Sequence, residues 1–89
     1  MKLISKTHVK GPDELSIQLD RGKIKYSEHG KHLSVEVEHG VGEISIFKDS
    51  IRKWYPPYSN DLIDDIQKQK ILNNICEAMK LIGVNFVVQ

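Results

Sequence analysis

Through the first half of the chain, apolar residues recur at every second position. Leu15, Ile17 and Leu19 alternate with Ser16 and Gln18; Ile24 and Tyr26 alternate with Lys23 and Lys25; Leu33, Val35 and Val37 alternate with Ser34, Glu36 and Glu38; Ile44 and Ile46 flank Ser45 within Glu43–Phe47. Period-two alternation puts one set of side chains on each face of a strand, so each run predicts a half-buried β-strand. Leu3 and Ile4 open a further candidate that extends toward Val9. Turn signals separate the runs: Gly11-Pro12-Asp13, Asp20-Arg21-Gly22, Glu28-His29-Gly30-Lys31 and Glu38-His39-Gly40-Val41-Gly42. Such short connections predict antiparallel neighbours, because parallel strands need long crossovers.

Beyond Phe47 the period changes. Apolar residues fall at Ile71, Ile75, Ala78, Met79 and Ile82, with Leu72 and Cys76 beside them, which is the stripe of an amphipathic helix. Lys68, Lys70, Asn73, Asn74, Glu77 and Lys80 occupy the rest of the circumference, and Gly83 supplies a helix stop. Val84–Val88 is β-branched and aromatic and predicts a short final strand whose partner the pattern leaves open. A sheet with one apolar face needs a cover, and the helix is the one element available to supply it. The expected fold is therefore α+β: one domain over residues 1–89, an antiparallel meander of about five or six strands on a single long helix. Ile71, Ile75 and Met79 are the helix's structural anchors.

Between sheet and helix lies Trp54-Tyr55-Pro56-Pro57-Tyr58, which holds half of the aromatic residues and two of the three prolines. The prolines exclude helix and stiffen the segment. Trp54 is expected to anchor the core at one end of the sheet–helix sandwich. Tyr55 and Tyr58 are candidates for partner contact, since tyrosine and tryptophan are enriched at binding hot spots.

Composition narrows the function. The net charge is +1, from 13 basic and 12 acidic side chains, and neither half of the chain is polarised. Nucleic-acid binders concentrate a basic excess on one face, so nucleic acid is not expected as a partner. A single cysteine, Cys76, excludes an internal disulfide. No run of ~18 apolar residues and no signal peptide is visible, so a membrane is not expected as a partner and a cytoplasmic location is the default expectation. His8, His29, His32 and His39 lack metal-ligand spacing, no phosphate-binding glycine loop precedes the helix, and no nucleophile elbow is present. The expectation is a protein without metal, cofactor or catalysis. Glu36 and Glu38 share one strand face, and with Glu43 they form the acidic part of the polar sheet face. A solvated charge lattice accounts for them first, and a partner-facing acidic patch is the functional alternative.

Ile51, Trp54 and Pro57, followed after a polar gap by Lys68, Ile71, Leu72, Ile75, Ala78 and Gly83, form a pattern that resembles the small bacterial immunity proteins of polymorphic toxins, including those of contact-dependent inhibition. The resemblance extends from Ile51 to the end of the chain; the first half is similar in general character. It implies a protein that binds and neutralises a cognate toxin C-terminal domain, such as a nuclease, by occluding its active site. Its matching residues are packing residues, so it transfers no binding residue. Glu36, Glu38, Glu43, Tyr55 and Tyr58 are therefore binding candidates on chemical grounds alone. The competing class is a non-catalytic interaction module, for example a homodimer formed through the Tyr55–Tyr58 loop or a sheet edge.

Overall fold

A computed structural model describes residues 1–89 and contains seven strands and one long helix. The strands are β1 (Lys2–Ser5), β2 (His8–Lys10), β3 (Ser16–Asp20), β4 (Lys23–Glu28), β5 (Lys31–His39), β6 (Ile44–Ile46) and β7 (Phe86–Val88). The helix α1 spans Asp65–Ile82, and a single 3-10 turn, Lys48–Ser50, follows β6. All strands lie in one sheet in sequence order, antiparallel from β1 to β6, with β7 added parallel to β6. The α+β architecture expected from the alternation and the helical stripe is the one found.

The central register follows the burial pattern. Ile17 faces Tyr26, Leu19 faces Ile24, and Ile24 and Tyr26 in turn face Val35 and Leu33, so all six pack on the covered side. A one-residue slip would turn this whole set to water, which is why the pairing is unambiguous. His29 and Gly30, with φ of 53° and 77°, join β4 to β5 in a two-residue hairpin whose Glu28↔Lys31 pair closes it. Positive φ at both central positions matches the right-handed twist of the flanking strands. β5 pairs with β4 as far as Glu36, and then with β6 from Val37 to His39. This handover lets the sheet curl around the helix.

Two details differ from the pattern reading, and the pairing of the final strand goes beyond it. Leu3–Val9 is a hairpin rather than one strand: the chain reverses at Lys6–Thr7, and the Thr7 carbonyl accepts a hydrogen bond from the Leu19 amide at 2.8 Å. That split makes six antiparallel strands, within the five or six expected, and β7 is the short final strand beside them. The final strand is parallel, because α1 carries the chain back along the sheet and β7 enters beside β6 in the same direction. Glu43 precedes β6 instead of belonging to it, and its carbonyl accepts from the Gly40 amide at 2.8 Å to hold the reversal.

The helix begins and ends as its sequence dictates. Asp64 is the N-cap, its carboxylate accepting from the Gln67 amide at 2.7 Å. At the other end Gly83 adopts φ 87°, and the amides of Gly83 and Val84 both reach the Met79 carbonyl, at 3.0 and 3.2 Å. Ile71, Leu72, Ile75, Ala78 and Met79 are buried and join Val9, Ile17, Val35, Ile46, Ile51 and others in one core of 18 residues. No helix is long and apolar enough to cross a membrane.

One polar group enters this core. Glu28 is only 7% exposed, with the Tyr26 hydroxyl 3.4 Å from Oε1 and Lys70 Nζ 3.8 Å from Oε2. Asn74 Nδ2 donates to the same Tyr26 hydroxyl at 3.0 Å. Burial, partly offset by the Asn74 hydrogen bond and reinforced by the Glu28 charge, pushes the Tyr26 phenol up to about 12. The network ties β4 to α1.

Candidate functional site

Trp54 is 2% exposed and sits where the loop after β6 meets the sheet. The loop is sewn to the β5 edge that β6 leaves free. The Phe47 amide donates to the Glu36 carbonyl at 3.0 Å, the Glu36 amide donates to Ser50 Oγ at 2.8 Å, and the Tyr55 amide donates to the His32 carbonyl at 2.7 Å. The Tyr55 hydroxyl also bonds Ser34 Oγ. Lys31 lies above the buried indole, with Nζ 5.9 Å from the Trp54 ring centre and 5.4 Å from that of Tyr58. The same ammonium pairs with Asp61 at 2.8 Å. Each cation–π contact contributes about 0.5–1 kcal/mol at a partly exposed site, so Lys31 clamps the loop from outside while Trp54 anchors it from within. The Pro56–Pro57 peptide bond is cis.

What this clamp presents to solvent is apolar. Tyr55 and Tyr58 are exposed, and so, nearly in full, are Leu62 at 91% and Ile66 at 84%. Lys53 and Leu62 form an isolated antiparallel bridge, so the loop returns on itself before α1 begins. Leu62 and Ile66 escape a reading that assigns apolar residues to the core. A signal was available for Ile66: five residues before Ile71, it lies about 140° around the helix from the buried stripe.

The outer sheet face has two regions. Glu36 and Glu38 are both exposed on β5; Glu36 stands opposite Lys23, and Glu38 opposite Ser45. Glu43 is not brought to them: it lines a separate concavity of about 280 Å³ with His39, Gly83 and Asn85. Asp20 pairs with Lys25 at 3.6 Å, and the Arg21 amide beside its carboxylate holds it below the usual carboxylate range, helped by Lys25 and Lys23. Across the rest of the face runs a groove of about 390 Å³ between β3, β4 and the start of β5, with Tyr55 as one wall. Lys23, Lys25, Gln18, Ser16, Ser27 and Ser34 line it, and none of its ten lining residues is acidic. His8 Nε2 and Ser16 Oγ, 2.6 Å apart, close its β2 side.

Of the candidate residues, the fold thus gathers Glu36, Glu38 and Tyr55 on the outer side of β5 and its edge. It sets Tyr58 beside Leu62 and Ile66 in sequence, and leaves Glu43 at the far reversal. Ile71, Ile75 and Met79 are wholly buried on α1. The outer face thus carries a groove and is bordered by a pinned loop on which Tyr55, Tyr58 and Leu62 are exposed. No curated protein and no solved structure matches the chain. The family model of Immunity protein 74 matches residues 16–89, from β3 through β7, so the chain belongs to that family, among the immunity proteins of polymorphic toxin systems.

Proposed function

We propose that this chain neutralises its cognate toxin by binding the toxin's C-terminal domain and covering its active site. The observation that carries the reading is the segment from Tyr55 to Ile66, where Tyr55, Tyr58 and Leu62 stand exposed on a loop held by Trp54 and Lys31 and Ile66 stands exposed on the first turn of α1. Exposing this much apolar side chain costs solubility unless a partner covers it. A loop held in place before binding also loses little conformational entropy on docking. Family membership supplies the kind of partner, a toxin protein.

Glu36 and Glu38 provide the polar part of the proposed contact, with Glu43 at its far border. Carboxylates suit a target with a basic cleft, as a nuclease has, by mimicking the charge of its substrate. A nuclease toxin meets nucleic acid in the cytoplasm, so the inhibitor would act there. Binding alone suffices for this function, and it requires no metal, cofactor or chemistry from the inhibitor.

The deciding experiment is co-expression with the toxin C-terminal region encoded beside this chain, scoring growth and then co-purification. Rescue with a stable complex supports the reading. Continued killing, with no complex, sinks it and brings forward a homo-oligomerising module, which the exposed Val87 and Val88 on the short edge strand β7 would favour.

A further inference from the structure

The groove on the outer sheet face has a chemical character that the acidic patch does not share. Its polar lining is two ammonium groups together with groups that can donate as well as accept: the Gln18 amide, the hydroxyls of Ser16, Ser27 and Ser34, and His32 at the β5 end. Ammonium groups only donate, hydroxyls can donate, and no carboxylate competes inside the groove. Lys23 makes no ion pair, and Lys25 holds Asp20 at a long 3.6 Å with both side chains about half exposed. Both cations are therefore available to a stronger anionic partner. Tyr55, pinned through its hydroxyl to Ser34 and through its amide to His32, adds a flat apolar wall against which a methylene stem can lie.

We infer that this groove receives an acidic side chain, or a short acidic segment, from the toxin domain that the chain neutralises. This rests on the reading proposed above and adds a second, oppositely charged contact to it. A protein carboxylate fits better than a nucleic-acid backbone for a geometric reason. A phosphate chain crossing the face would run from the groove onto Glu36, opposite Lys23, and then past Glu38 or Asp20. A single glutamate or aspartate needs only the Lys25 end of the groove, where Gln18 and Ser34 stand on either side, and it has one long Asp20 contact to displace rather than a row of carboxylates to cross. Placing positive and negative regions side by side on one face also fixes the orientation of docking, since a rotated partner would set like charges together.

Two probes separate this inference from the function it rests on. The isotope-labelled chain is titrated with a blocked hexaglutamate peptide and, separately, with hexauridylate RNA, following backbone amide shifts. The expected result is saturable, millimolar-range movement of Ser16, Gln18, Lys25, Ser27, Ser34 and Tyr55 with hexaglutamate. The paired variant Lys23→Glu/Lys25→Glu should lose it, and Lys23→Gln/Lys25→Gln should weaken it without introducing repulsion. Shifts scattered over Lys2, Lys6, Lys48 and Lys80 with no saturation in the groove would overturn the inference, as would tighter groove binding by the RNA. In the second arm, Lys23→Gln/Lys25→Gln should weaken toxin binding about tenfold or more. Toxin neutralisation by a chain whose groove ignores hexaglutamate leaves the function standing and removes the groove. Groove binding by a chain that neutralises nothing does the reverse, leaving an acidic-peptide site in search of another protein.

Discussion

The rings of Trp54 and Tyr26 pack in the core with their centres 6.3 Å apart and their planes tilted by 34°. This pair joins the loop to the sheet, and two stability predictions follow from its two members.

Trp54 is the only tryptophan, and its indole N–H is buried without a hydrogen-bond partner. Its contribution is therefore mainly packing, with the smaller cation–π contact to Lys31 beside it. Trp54→Ala should cost about 3–5 kcal/mol through lost burial and a cavity. Trp54→Phe removes no satisfied polar contact and should cost only about 1–2 kcal/mol. Urea unfolding measures both variants. In the wild type, the indole emission should be blue-shifted when folded and move red through a single transition. A Phe variant as unstable as the Ala variant would mean that the N–H has a partner after all.

Tyr26 makes stability depend on alkaline pH. Its phenol ionises near 12 in the folded chain, whereas the unfolded chain ionises near 10. Between these values the unfolded state holds fewer protons than the folded one, so stability falls as pH rises, by about 1.4 kcal/mol per unit at the steepest. The contribution is complete below pH 10 and is lost by about 12. Tyr26→Phe should unfold more easily at neutral pH, because Asn74 and Glu28 lose a partner, yet its stability should decline less between pH 9 and 11. Parallel slopes for the two proteins over that interval would refute the assignment.

The two ends of α1 can be tested independently. Asp64→Ala removes the acceptor for the Gln67 amide and should cost about 1 kcal/mol. Gly83→Ala forces a Cβ into φ 87°, where no neighbouring atom obstructs it, so the expected cost of about 1 kcal/mol is purely conformational. The sites are far apart along the helix, so the double variant should show the sum of the two. A neutral Gly83→Ala would mean that the helix ends elsewhere.

The central strands and the helix are legible because burial on one face imposes a strict period on the sequence. From Leu15 to Val37, and from Ile71 to Met79, each apolar residue of the pattern is found in the core. Legibility fails where that constraint lapses. Leu3 and Ile4 are both exposed in β1, so no alternation marks the reversal at Lys6–Thr7. The pairing of β7 with β6 depends on where the helix delivers the chain, which no local pattern encodes. Glu28 continues the buried face of β4 after Ile24 and Tyr26, and two-residue periodicity points to its burial more directly than its charge does. Lys31 reads as a turn lysine, although the fold makes it the clamp on Trp54 and Tyr58. Leu62 and Ile66 belong to neither the strand alternation nor the helical stripe that begins at Ile71, so the periodic pattern assigns them no place, and both stand exposed.

Those two residues give the sharpest test of the proposed interface. Apolar hot spots and rim charges leave different kinetic signatures: the former set how long a complex lasts, and the latter set how quickly it forms and how strongly salt affects it. Leu62→Ser and Ile66→Ser should each leave folding within about 0.5 kcal/mol of wild type, because their side chains are largely exposed, and Tyr58→Ala should cost about 1 kcal/mol through its lost contact with Lys31. Against the toxin domain, they should speed dissociation about tenfold or more, with association little changed. Glu36→Lys and Glu38→Lys should do the opposite, slowing association severalfold at low salt with a difference that fades as ionic strength rises. Surface-binding kinetics at two salt concentrations read both effects in one series. If the serine variants bound as durably as wild type while the lysine variants failed at every salt concentration, the contact would centre on β5, and the Tyr55–Ile66 segment would lie outside it.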